Sequence, residues 1–150
     1  MPQFTTVRRV HHRPEQMFAL VADVEKYPQF LPMCEALSVR SRNERDGKTL
    51  LIADMTVGYK LIRETFTSQV LLKPDENVID VKYLDGPFRY LDNRWTFKPV
   101  EEGSQSDVEF FIDYEFKSRT LGLLMGAMFD LAFKKFSEAF EKRADQIYTS

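Results

Sequence analysis

The chain has 150 residues, 43% of them hydrophobic and 13% aromatic, which is enough apolar material for one domain burying about 70% of its unfolded surface. A formal net charge of -2 argues against general binding to a phosphate backbone, so DNA is not an expected partner, and the single cysteine, Cys34, excludes an internal disulfide. The longest apolar run, 121–133, is interrupted by Asp130 and is shorter than the roughly 20 residues that cross a bilayer.

In chain order, Phe4 to Val10 reads as a first strand. Pro14 suits the first turn of a helix, and Met17, Phe18 and Val21 give that helix a buried side through about Ala22. Pro28 and Pro32 punctuate the segment 23–32, which predicts a short helical turn and a bend. Six strand-like runs follow, at about 35–42, 49–57, 61–73, 78–84, 90–99 and 107–117. Their separators, among them Asp46-Gly47, Pro74-Asp75 and Asp85-Gly86-Pro87, carry turn chemistry. Short turns between successive strands favour an antiparallel meander.

The stretch from Thr120 to Tyr148 has no proline and reads as one long helix. On a wheel of 3.6 residues per turn, Met125, Phe129, Ala132, Phe133, Phe136, Phe140 and Ile147 form one apolar stripe. A second apolar side, with Leu123, Leu124, Ala127, Met128 and Leu131, becomes charged from Lys134 on. Packing on a sheet needs only one stripe. The second is therefore expected to be partly exposed, as a patch for a membrane or a second subunit.

Alternation puts Val108, Phe110, Ile112, Tyr114 and Phe116 on one side of the last strand. The same reasoning groups Leu91, Trp95 and Phe97, and Ile79, Val81 and Tyr83. These faces and the helix stripe either close as a plain core or leave a cavity for a long apolar ligand. The fold class expected is α+β, with one strongly curved seven-stranded sheet around the long C-terminal helix.

Catalytic chemistry is hard to find. His11 and His12 are adjacent, so on a strand they point apart and cannot share a metal; exposed basic residues at a strand end, with Arg8, Arg9 and Arg13, are the plainer reading. Cys34 reads as a small buried hydrophobe. There is no G-x-G-x-x-G or G-x-S-x-G. No metal or cofactor is expected, and residue chemistry favours binding over catalysis.

The motifs Tyr27-Pro28-Gln29-Phe30-Leu31-Pro32-Met33-Cys34, Val57-Gly58-Tyr59-Lys60 and Glu64-Thr65-Phe66-Thr67-Ser68 resemble the coenzyme Q-binding protein family. So do Asp85-Gly86-Pro87-Phe88-Arg89, Trp95-Thr96-Phe97 and Tyr114-Glu115-Phe116-Lys117-Ser118. This family belongs to the START-like, helix-grip superfamily, also labelled polyketide cyclase/dehydrase and lipid transport. The match runs over nearly the whole chain, 1–150 as a single START-like domain, with Met33 departing from the tryptophan of many relatives.

The resemblance implies an apolar tunnel holding ubiquinone or a similar isoprenoid quinone, in a chaperone that supports quinone biosynthesis and respiration. It places Tyr27, Pro28, Phe30, Leu31 and Pro32 at a mouth, Val57 to Lys60 at a hairpin, and Asp85 to Phe88, including Pro87, at a loop. Tyr59, Lys60 and Arg63 are the expected donors to the quinone oxygens. Phe66, Trp95, Phe110, Tyr114, Met125, Phe129 and Phe133 are expected to line the tunnel. The location implied is cytoplasmic, with peripheral contact on the inner face of the respiratory membrane. Two other functions stay open. One is an aromatic cyclase or dehydratase using Asp54, Glu64 or Tyr114; the other is a ribosome-association toxin that blocks subunit joining.

Overall fold

The computed structural model describes residues 3–59 and 61–148. Strand β1 (Gln3–Val10) is followed by helix α1 (Pro14–Ala22) and a 3₁₀ turn (Val24–Gln29). Then come β2 (Cys34–Arg45), β3 (Lys48–Tyr59), β4 (Ile62–Lys73), β5 (Val78–Asp85), β6 (Phe88–Val100) and β7 (Gln105–Phe116), and last α2 (Arg119–Ile147). All seven strands join one antiparallel sheet in the order β1-β7-β6-β5-β4-β3-β2.

Local chemistry explains the joints. Pro14 opens α1, and the Gln16 side chain accepts from the Arg13 amide. Ser118 caps α2, its Oγ accepting from the Leu121 amide at 3.2 Å. Asp46 and Gly47 both have positive φ, as a two-residue hairpin turn requires, and they join β2 to β3. Strand β6 starts at Phe88, two residues before the alternation suggests. A register shift between Phe88 and Tyr90 lets Phe88 pair with Phe116. Further shifts at Cys34/Ala36, Val39/Ser41 and Thr67/Ser68 bend the sheet around α2.

Strand β7 alternates as expected, with Val108, Phe110, Ile112, Tyr114 and Phe116 all buried. The α2 stripe buries Met125, Phe129, Ala132, Phe133 and Phe140, and half-buries Phe136. It then continues through Ala144 rather than Ile147, which is exposed. At that end Tyr148 packs instead, its ring 6.0 Å from that of His12.

His12 is a correction to the sequence reading. The chain bends after β1 and carries this ring inward, where Nε2 lies 2.6 Å from Asp145 Oδ1. Its carbonyl accepts from Ser106 Oγ at 2.6 Å. The neighbouring cations do not make a basic patch either, because Arg8 pairs with Glu141 and Arg9 with Asp107.

Candidate ligand-binding site

Two aromatic clusters hold α2 against the concave face. Near the start of α2, Phe88 is fully buried among Phe116 at 4.9 Å, Phe129 at 5.5 Å, Tyr83 at 5.5 Å and Phe66 at 5.6 Å between ring centroids. Further along, Phe140 meets Trp95 at 5.1 Å, Phe30 at 5.2 Å and Tyr27 at 5.3 Å. Edge-to-face contacts like most of these, and the stacked pair Phe88–Phe116, fix ring positions as well as burying area.

Between the clusters lies a cavity of about 110 Å³. Its roof is Phe129, Phe133, Phe136 and Phe140 of α2. Its floor runs from Leu37 on β2 through Ala53, Met55 and Val57, Phe66, Ser68 and Val70, to Trp95 and Phe110. Room exists there because Ala53 and Ser68 are register partners on β3 and β4, two small side chains among large ones.

Of the residues expected at the site, Tyr27, Leu31, Val57, Phe66, Trp95, Phe110, Phe129 and Phe133 come together around the cavity. Others do not. Phe88, Pro87, Tyr114 and Met125 are buried packing beside it, since the sheet's bend closes that end with aromatic rings. Pro28 is exposed on the 3₁₀ turn, and Pro32 and Phe30 lie outside the wall, with Phe30 stacked under Arg143. Arg63 sits on the outer face of β4, where Nε donates to Glu35 Oε1 at 2.7 Å, so it cannot orient a ligand inside. Lys60 and the side chain of Tyr59 lie outside the described residues.

Ser68, Ala53 and Asn93 were missed by the sequence reading. The signal for the first two was a small residue at an inward strand position flanked by bulky ones. Asn93 Nδ2 donates to the Phe111 carbonyl at 2.7 Å, and the Tyr27 hydroxyl donates to the Val21 carbonyl. Burial pushes the Tyr27 and Tyr114 phenols above the usual tyrosine range, so neither is a base near neutral pH.

The acid–base candidates fare no better. Asp54 is on the outer face, held by Thr67 and Arg40, and Glu64 is not on the cavity wall. Among the described residues no carboxylate, lysine or histidine lines the cavity, and no three His, Cys, Asp or Glu side chains gather as a metal site. Among the described residues no helix is long and apolar enough to cross a membrane.

On α2's other side Leu123 is 80% and Leu124 59% exposed, and Ala127 and Leu131 are exposed too. This is the end of the sheet where β3 turns into β4, and there Leu61 is 97% exposed. Lys117 and Arg119, both exposed, flank the leucines.

Comparison with known proteins gives the fold its relatives. Residues 10–141 match the model of a family described as polyketide cyclase/dehydrase and lipid transport. The chain is 33% identical over 150 residues to the ribosome association toxin RatA of Rickettsia prowazekii, covering 98% of this chain and 99% of that one. It is 32% identical over 139 residues to the mitochondrial coenzyme Q-binding protein of Drosophila melanogaster, covering 91% of this chain and 56% of that one. The solution structure of an 18 kDa protein from Caulobacter crescentus superposes with a TM-score of 0.81 at 33% identity over the full length of both chains.

Proposed function

The chain belongs to the polyketide cyclase/dehydrase and lipid transport family, and from that premise we propose that it binds and chaperones an isoprenoid quinone or a similar polyprenyl lipid. The observation that carries this reading is the apolar cavity between the concave sheet and α2, which has aromatic walls and no carboxylate, lysine or histidine among its described lining residues. A 32% identity to a coenzyme Q-binding protein over 91% of the chain supports the quinone class. Each methylene-sized unit of such a lipid held away from water is worth about 0.8 kcal/mol, so a carrier of this kind answers a real solvation cost.

Delivery needs contact with a bilayer. The exposed leucines Leu123, Leu124, Leu131 and Leu61, with Lys117 and Arg119 beside Leu123 and Leu124, suit the interface of an anionic membrane. Arg119 and Lys117 would face their own copies in a two-fold dimer through this patch, which makes a homodimer the weaker use of it.

Ribosome association is the second reading, favoured by the full-length identity to RatA. A formal charge of -2 speaks for protein contacts rather than RNA contacts in that case. Native mass spectrometry of protein purified from a quinone-producing host tests the first reading: a bound quinone is expected. Protein that carries no lipid but co-sediments with ribosomal subunits at moderate salt would replace it with the second.

A further inference from the structure

A cavity of about 110 Å³ is the wrong size for a long tail. Drug-sized ligand sites run from about 300 to 1,000 Å³. An engineered void of roughly 150 Å³ lined by Leu, Ile and Phe takes up one benzene ring. The space under α2 is therefore on the scale of one ring, and its walls are rings: Trp95, Phe110, Phe129 and Phe133.

The polar atoms point to the same end of a ligand. Ser68 is only 6% exposed, lines the cavity, and its Oγ has no hydrogen-bond partner among the described residues. A buried hydroxyl left unpaired is costly, and each such group asks for an explanation. Rotation about its single χ1 angle, between staggered wells, swings the oxygen along the wall without moving the backbone. Asn93 stands on the same wall, two strands away on β6. Of the donors expected for a polar head, Arg63 is instead on the outer face with Glu35.

We infer that the ligand enters head first: its single oxygen-bearing ring occupies the cavity and the Ser68 hydroxyl donates to a ring carbonyl, while the apolar tail stays outside this small space. This rests on the carrier reading.

Two probes test it: a benzoquinone carrying two isoprene units, and the same tail on a methylated benzene ring without oxygen. Binding is read by quenching of Trp95, the only tryptophan, which lines the cavity. The carbonyl stretch of the bound quinone is read by infrared difference spectroscopy. Ser68→Ala is expected to weaken the quinone about fivefold, as loss of one neutral hydrogen bond does. It should also move the carbonyl band back to higher wavenumber, leave the oxygen-free probe unchanged, and keep or raise the melting temperature. An equal loss for both probes, no loss for either, or an unmoved carbonyl band overturns the role of Ser68 while leaving the carrier reading intact. Failure of both probes to bind the wild-type protein removes the carrier reading and this orientation with it.

Discussion

Ala53 and Ser68 face one another across β3 and β4, and the space above this pair is the cavity. Enlarging one of them should separate binding from stability. Ala53→Leu adds three carbons where there is room for them, a gain of about 0.8 kcal/mol per buried methylene set against about 1–3 kcal/mol if the site overpacks. The expected result is a melting temperature within a few degrees of wild type together with loss of quinone quenching of Trp95. Unimpaired quenching in a folded Ala53→Leu protein would move the ligand elsewhere.

Phe88 gives the opposite pairing of effects. It is fully buried and touches five other rings, yet it is not on the cavity wall. Phe88→Ala should cost about 3–5 kcal/mol in urea unfolding. A cost below about 1 kcal/mol would mean that this end of the core is looser than its packing shows.

Most of the architecture was legible from strand alternation and turn residues, because a half-buried strand and a two-residue turn each leave a local signature. Every strand and both helices fall within a few residues of where the pattern puts them. The site was legible only where a residue's facing decides its role, as for Phe110 or Phe133. It was not legible for Phe88, which the sequence put on a loop and the structure puts in β6, nor for Met125, whose inward facing is right but whose neighbours fill the space, since a cavity is a property of several strands at once. His12 was misread for a related reason. Its partner Asp145 is 133 residues away, and no local pattern reports a contact of that range.

The leucines at the start of α2 offer a test on vesicles. Replacing Leu123 and Leu124 with Asp should reduce co-sedimentation with anionic phospholipid vesicles severalfold, and added salt should weaken wild-type binding through Lys117 and Arg119. Exposed positions of this kind change stability by about 0.5 kcal/mol or less, so the melting temperature should hold. Undiminished vesicle binding by the double variant would free this surface for another partner.

Cys34 is buried, and that burial pushes its thiol up to about 11. At pH 8 it is therefore almost wholly protonated, and the thiol form is a poor nucleophile. Alkylation by iodoacetamide should be slow in the native protein and accelerate sharply in denaturing urea. Rapid native labelling would contradict the packing at the start of β2.

Asp54 links pH to stability. The Thr67 hydroxyl, and then Arg40, hold its carboxyl below the usual aspartate range. A depressed acid contributes stability above the unfolded value near 3.9 and loses it as pH falls toward the folded one. The melting temperature should thus be steady from pH 7 to about 5 as far as this group is concerned, and drop below about 4. Asp54→Asn should shallow that acid limb, and an identical limb in the variant would remove Asp54 from the account.

The sheet order puts β1 and β2, neighbours in sequence, at opposite edges, with β1 paired only to β7. Consequently β1 is made well before its partner and is among the last strands of the sheet to find its place. It waits for more than ninety residues of chain, since its register partners run from Gln105's neighbour Ser106 to Asp113. Contacts of such long range slow folding and leave apolar surface uncovered in the meantime. A nascent copy of this chain therefore keeps the apolar face of β1 uncovered until β7 has been made.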